Sequence, residues 1–135
     1  MSVIRTHFIL YVENQDRSTS FYSQVFGHPP SLNEPGMTEF ALSENVILGL
    51  MPIDGLKRLL GANLANEGRN PSVAYCEVYL LVSNPLDYHQ RALEAGAVEL
   101  SGLKNRDWGH RVAYSLDPDG HVLAFAEQLR EGKVG

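Results

Sequence analysis

The sequence predicts an α+β fold in which a β-α-β-β-β module occurs twice, and two observations support this. Apolar residues recur at every second position in short segments around two helical stretches, and the element order of the first half returns in the second. The segment His7–Asn14 also aligns with Glu77–Asn84, and a helix and then a glycine follow each. We therefore predict a single domain of two tandem modules, at about 1–55 and about 72–135, joined by a linker at about 56–71.

Composition limits the class of protein. The chain has 135 residues, 44% of them apolar, and a net charge of −5, which suits one compact core. It has no basic run and no apolar run long enough for a bilayer, so we expect neither nucleic acid nor a membrane as partner. The N-terminus leads directly into a strand, so we expect no signal peptide. The single cysteine, Cys76, excludes an intrachain disulfide and favours a cytoplasmic location, and its apolar neighbours predict an inert, buried thiol.

Module 1 is predicted to contain a strand, a helix and three further strands, at about 6–13, 16–26, 31–33, 37–42 and 46–51. Strand alternation places His7 and Tyr11 on one face of the first strand. Asn14 or Asp16 caps the helix, and Gly27 ends it because two prolines follow at once. The linker is predicted to hold a short helical piece at about 56–60.

Module 2 is predicted to contain a strand, a helix, a short strand, a polar loop and two closing strands, at about 74–82, 85–95, 97–100, 101–110, 111–116 and 122–128. Glu77 and Tyr79 share one face of the first strand. Asn84 and Pro85 supply the N-cap and first position of the helix. The apolar stripe of this helix comprises Leu86, His89, Ala92 and Leu93. Residues 130–135 form a polar tail.

The last two strands form a hairpin, and it is the sharpest local prediction. Asp117-Pro118-Asp119-Gly120 supplies the turn, because proline pre-sets φ, aspartate bonds its own backbone and glycine accepts a positive φ. The strand that follows, Val122–Gln128, is apolar on both faces, so we expect it inside a sheet.

Three segments together resemble the vicinal oxygen chelate superfamily, the group of glyoxalases, bleomycin resistance proteins and extradiol dioxygenases. They are the opening THFILYVENQDRSTSFYSQVFG, the helix end RALEAGA, and WGHRVAYSLDPDGHVLAF near the end of the chain. The stretch FALSENVILGLMP further resembles a glyoxalase-like subgroup of uncharacterised function. The resemblance implies two βαβββ modules whose sheets form a half-open barrel around a ligand cavity. It also implies a homodimer.

The resemblance implies a metal site made from four strand positions, and two of them lack a donor here. The matching positions are His7, then Leu48 or Leu50 depending on register, then Glu77, and finally Ala124, where metal-using relatives have glutamate. Leucine and alanine cannot bind a metal ion. Strand alternation puts Glu127 on the opposite face from Ala124, so it does not substitute. We therefore predict no metal ligands and no cofactor, and keep a weak divalent ion as the alternative.

The remaining candidate residues point to a small organic ligand. An apolar cavity is predicted from residues on strands and on the loop before the last hairpin, namely Tyr11, Leu48, Leu50, Tyr79, Trp108, Tyr114 and Ala124. His7 and Glu77 are the candidate catalytic pair, because a carboxylate beside an imidazole can perform acid–base chemistry.

Three functions stay open at this point. The first is ligand binding of the bleomycin-resistance kind, in the cavity between the modules. The second is a metal-dependent lyase or dioxygenase of the same superfamily. The third is a metal-free enzyme that uses His7 and Glu77. The resemblance concerns the fold, and fold alone does not establish an activity.

Overall fold

The computed structural model describes residues 3–60 and 76–129, so the linker from residue 61 and the polar tail lie outside the described residues. The first module runs through five elements and a following helix: β1 (Thr6–Val12), α1 (Gln15–Phe26), β2 (Leu32–Glu34), β3 (Met37–Ser43), β4 (Val46–Pro52) and α2 (Ile53–Leu60). The second runs through β5 (Glu77–Leu81), α3 (Pro85–Glu94), β6 (Val98–Asn105), β7 (His110–Leu116) and β8 (Val122–Gln128). The predicted α+β class and the duplicated β-α-β-β-β order are confirmed.

Each module has its own four-stranded sheet with the same topology. Sheet A has the strand order β1-β4-β3-β2, and sheet B has the order β5-β8-β7-β6. In both, the first strand pairs in parallel with the last strand of its module, and the other pairings are antiparallel. The strand Val122–Gln128 therefore lies inside sheet B, as its apolar sequence predicts.

The chain divides into two compact units that follow the modules. The last turn of α1, Gln24–Phe26, groups with the second unit. Within the described residues, no helix is long and apolar enough to cross a membrane.

Sheet A buries one face and leaves the other half open. Five apolar residues of the buried face lose nearly all solvent exposure: Leu10, Val12, Phe40, Leu48 and Leu50. Helix α1 contributes to this side through the Tyr22 ring, whose centroid is 6.4 Å from that of Phe40, and through a hydrogen bond of 2.8 Å between Thr19 and Thr38. The side chain of Gln15 at the helix start donates to the Glu34 carbonyl and so ties α1 to the β2–β3 turn.

Sheet B packs one face against α3. The Tyr88 ring of α3 stacks on Phe125 of β8 with centroids 5.7 Å apart. In the predicted apolar stripe, His89 and Ala92 are buried, but Leu86 is 46% exposed and Pro85 is buried in its place. The stripe is displaced by one residue at its start, because the proline that fixes the first turn also faces the sheet.

The residues predicted to begin and end α1, and to form the turn between β7 and β8, do so in the structure. Asn14 is the N-cap of α1, its side chain accepting from the Arg17 backbone N–H at 2.9 Å, and Gly27 ends the helix at φ 77°. Asn84 precedes α3 as predicted, but its amide donates to the Asp87 carboxylate instead of accepting from the backbone. In the closing turn, one Asp117 carboxylate oxygen accepts backbone N–H groups from Asp119 and His121 at 2.9 and 2.8 Å.

Three sequence predictions are wrong. The predicted loop after residue 100 is largely strand, because β6 continues to Asn105. Strand β6 lies at the edge of sheet B and has two register shifts, so it can carry polar residues without burying them. Helix α2 begins at Ile53, earlier than predicted. Cys76 is exposed, because β5 begins only at Glu77 and the thiol precedes the sheet.

Candidate functional site

His7 lies on the half-open face of sheet A, and a carboxylate that the sequence did not single out lies beside it. The Nδ1 atom of His7 is 3.6 Å from a carboxylate oxygen of Glu39 on β3. The two strands are not neighbours, since β4 runs between them. The side chain of Ile9 on β1 fills the space where Gly49 of β4 has none. Tyr11 lies further along the same face and is 44% exposed. Module 1 therefore presents an imidazole, a carboxylate and a phenol on one sheet face.

Leu48 and Leu50 do not lie on this face, so their prediction as cavity-lining residues beside His7 is wrong. Each has zero exposed surface on the buried side of sheet A. The register pairs Leu48 with Phe8, and His7 with Ile47; because neighbouring residues of a strand point to opposite faces, the face of His7 receives Ile47 and Gly49 from β4. Neither of these two residues can donate to a metal ion.

Sheet B carries most of the predicted ligand-binding residues on the face away from α3. The register places Tyr79 of β5 and Tyr114 of β7 on either side of Ala124 of β8. Cross-strand partners share a face, so the three side chains form one row. The two tyrosines pack against a buried cluster formed by Val112, Ala124 and Ala126. We call Tyr79, Trp108, His110, Tyr114 and Ala124 the aromatic face.

A chain of hydrogen bonds crosses the aromatic face. The Tyr79 hydroxyl oxygen is 2.6 Å from Nδ1 of His110, and the indole Nε1–H of Trp108 donates to that same oxygen at 2.9 Å. Tyr79 belongs to β5 and His110 to β7, so the Tyr79 side chain passes over β8 to make this contact. The methyl side chains of Ala124 and Ala126 leave the room for it.

Charged groups frame the other end of the aromatic face. Burial, followed by the nearby charge of Glu77, raises the pKa of Tyr114 above its ordinary value of 10.0, and Arg106 opposes this effect. The Arg106 guanidinium lies 5.1 Å from the centre of the Tyr114 ring and donates to the Val112 carbonyl at 3.0 Å. Glu77 itself is exposed at the start of β5.

Residues 3–60 and 76–129 hold no group of three His, Cys, Asp or Glu side chains close enough for one ion. Ala124 is fully buried among apolar side chains. Glu127 forms an ion pair of 3.0 Å with Arg111, which the register places on the face opposite to Ala124, as strand alternation predicts.

A separate hollow of about 480 Å³ lies at the start of α1. Its lining is mostly polar and comprises Asn14, Gln15, Asp16, Asn33, Glu34, Pro35 and Gly36. None of the predicted site residues belongs to it, and its polar lining differs from the apolar cavity that the sequence predicts.

Sequence reasoning missed Glu39 and His110. Both lie within 4 Å of a predicted site residue, His7 and Tyr79 respectively. The sequence offered only a weak signal for His110, its position two residues after Trp108. For Glu39 the sequence offered none, because its proximity to His7 depends on the order and register of three strands.

Solved structures share this fold. A glyoxalase-related enzyme from Fulvimarina pelagi matches with a TM-score of 0.77 at 18% identity, over 95% of this chain and 89% of that chain. A glyoxalase/bleomycin resistance protein/dioxygenase from Nocardioides matches with a TM-score of 0.72 at 23% identity, over 100% and 89%. TioX from Micromonospora sp. ML1 matches with a TM-score of 0.65 at 20% identity, over 93% and 98%. At these identities the likeness shows the fold alone.

Mycobacterial relatives match part of the chain in sequence, and a family model matches most of it. An uncharacterized protein of Mycobacterium bovis is 35% identical over 54 residues, which cover 40% of this chain and only 36% of that relative. An uncharacterized protein of Mycobacterium tuberculosis matches equally, over 32% of its length. The model of the glyoxalase/bleomycin resistance protein/dioxygenase superfamily matches residues 5–125, so the chain belongs to that superfamily.

Proposed function

We propose that this protein binds a small organic ligand on its aromatic face and needs no catalytic metal ion to do so. The observation that carries the proposal is the row of Tyr79, Ala124 and Tyr114, in which the central methyl group is fully buried. A glutamate in the middle of this row would offer one ligand to an ion. A buried methyl group instead supports the two rings packed against it, and these rings offer the apolar surface.

The composition of the face favours an organic molecule of low polarity. Trp108 is 56% exposed, and the phenol of Tyr114 is only half buried. The polar groups on the face are few and fixed, which is typical of small-molecule sites. One terminal nitrogen of Arg106 donates to Ser101 and to the Val112 carbonyl, and its guanidinium lies over the Tyr114 ring.

Ligand screening by thermal unfolding tests the proposal. Binding to the folded state raises the unfolding midpoint, by about 2.7 kcal/mol of stability at a hundredfold excess over Kd. We expect hits among small planar molecules, and a smaller midpoint shift for the same hit in the Tyr79→Leu variant. Tyr88→Phe, which changes a ring on the α3 side of sheet B, is the matched control and keeps the full shift. If no compound of a diverse panel raises the midpoint, the proposal fails.

Acid–base chemistry without a metal is the second candidate, and the contact of 3.6 Å between His7 and Glu39 favours it. A carboxylate beside an imidazole orients the ring for proton transfer. The pairing of His7 with Glu77 remains a prediction from the sequence. An activity that falls in His7→Gln and in Glu39→Gln, but not in Glu77→Gln, assigns the chemistry to module 1. Equal activity in all three variants excludes His7 as a catalytic residue.

A further inference from the structure

The hydrogen bonds on the aromatic face have a direction that follows from the chemistry of indole. The Trp108 Nε1–H has no acceptor capacity, so it donates to the Tyr79 oxygen at 2.9 Å. The phenol proton then needs an acceptor of its own. His110 Nδ1, at 2.6 Å, supplies it. We assign the bond this direction, which satisfies all three groups and leaves the ring proton of His110 on Nε2.

Trp108 is consequently an exposed ring that is held in one orientation. The side chain is 56% exposed and lies in the turn between β6 and β7. This turn is closed by backbone hydrogen bonds from Arg106 to His110 and from Gly109 to Arg106. Because the N–H edge of the indole is bonded to Tyr79, only its apolar faces remain to meet a ligand. A fixed aromatic surface loses little conformational freedom on binding.

The Nε2–H donor of His110 indicates a second feature of the ligand, a hydrogen-bond acceptor. Within residues 3–60 and 76–129, Nε2–H of His110 has no protein acceptor, and Tyr79 already satisfies the other nitrogen. An imidazole N–H is matched by a carbonyl oxygen. The three hydrogen-bonded side chains carry no formal charge in this arrangement, so they match an uncharged polar group of the ligand.

We propose that Trp108 is the stacking surface for a planar, uncharged aromatic molecule that carries a carbonyl group, and that Tyr79 and His110 act as positioning residues for it. The inference rests on the proposed binding function and names its ligand class and its anchor. The ring of the ligand lies on the indole, and its carbonyl oxygen accepts from His110.

Trp108 is the only tryptophan of the chain, so one indole N–H signal in a proton–nitrogen NMR spectrum reports on it alone. In Tyr79→Phe, which keeps the ring and removes the hydroxyl, we expect this signal to move and its exchange with water to accelerate. His110→Asn should move the same signal, because the acceptor of the Tyr79 proton changes. Tyr88→Phe on the α3 side is the control and leaves it in place. An unmoved signal in Tyr79→Phe overturns the hydrogen-bond chain.

The ligand class is tested on the full chain with matched probes, 1-naphthamide and its saturated, puckered counterpart decahydronaphthalene-1-carboxamide. We expect 1-naphthamide to shift the Trp108 signal saturably and to bind about fivefold more tightly than the puckered probe. The Trp108→Leu substitution should weaken the binding of 1-naphthamide by a similar factor. Equal affinity of the two probes, or tighter binding of the charged 1-naphthylmethylammonium, overturns the proposed class. If another compound raises the unfolding midpoint without moving the Trp108 signal, this inference fails while the proposed function stands.

Discussion

Ala124 and its neighbour Ala126 present only methyl groups on the aromatic face, and this permits a contact across the whole width of a strand. Tyr79 passes over β8 and bonds His110 on β7. A larger residue at either position would block that path, because both alanines are fully buried. The two small residues thus allow the hydrogen-bonded aromatic cluster to form.

Restoring a carboxylate at this position should disrupt module 2. In Ala124→Glu, a charged group enters an apolar cluster and displaces Tyr79, so the free energy of unfolding should fall by about 3 kcal/mol. Urea denaturation measures the change. Ala41→Glu, at an exposed site of β3, is the control and should stay within about 0.5 kcal/mol. An Ala124→Glu protein as stable as the parent would mean that the cluster is not packed as described.

The raised pKa of Tyr114 predicts that the stability of the fold decreases at alkaline pH. Its pKa is raised in the folded protein, first by burial and then by Glu77, so the folded state holds the phenol proton more tightly than the unfolded state. Its contribution is complete below the ordinary value of 10.0 and is lost as the pH rises through the raised folded value. We expect the alkaline loss of stability to be smaller in Tyr114→Phe, measured by urea denaturation at several pH values. Parallel curves for the two proteins would contradict the shift.

At the scale of elements, a few residues with strong local preferences determine where a helix ends and where the chain turns. Gly27 ends α1 in the left-handed region, and the Asp117 carboxylate organises the β7–β8 turn through two backbone N–H groups. These interactions lie within a few residues of sequence, which is why they are readable without a structure. The edge strand β6 is the opposite case, because its polar residues are tolerated only by its position at the end of sheet B.

The two faces of β4 have different roles, and a core substitution tests this. Leu48 has zero exposed surface, so Leu48→Ala should cost about 2–5 kcal/mol of unfolding free energy. Leu59→Ala in α2, where the side chain is 70% exposed, is the matched control with a cost near zero. If Leu48→Ala lowered the unfolding free energy only slightly and also weakened ligand binding, Leu48 would line the ligand cavity, as the sequence predicts.

For the whole molecule, membership in the superfamily fixes the fold, whereas the side chains decide whether a metal ion has a place in it. The described residues offer His7 with Glu39 in module 1 and the aromatic face in module 2. The predicted homodimer stays a prediction, and light scattering of the purified chain measures it.

Chelation of divalent metals should leave the whole protein unchanged. With no group of three donor side chains among residues 3–60 and 76–129, we expect the same unfolding midpoint with and without EDTA. Elemental analysis of the purified protein should find well under one ion per chain. A stoichiometric ion whose loss in His7→Ala lowers the midpoint would establish a metal site and end the metal-free proposal.

The sequence by itself determined the α+β class, the duplication, the two long helices and the closing hairpin, because these follow from periodicity and from cap and turn residues close together in the chain. Among the residues predicted to line a cavity, Tyr79, Tyr114 and Ala124 share one face of sheet B in the structure. The tertiary structure decided which face Leu48 and Leu50 occupy, because a shift of one residue in register reverses every side chain. It alone brought Glu39 to His7 and His110 to Tyr79, because such contacts join strands that are not adjacent and depend on strand order and register.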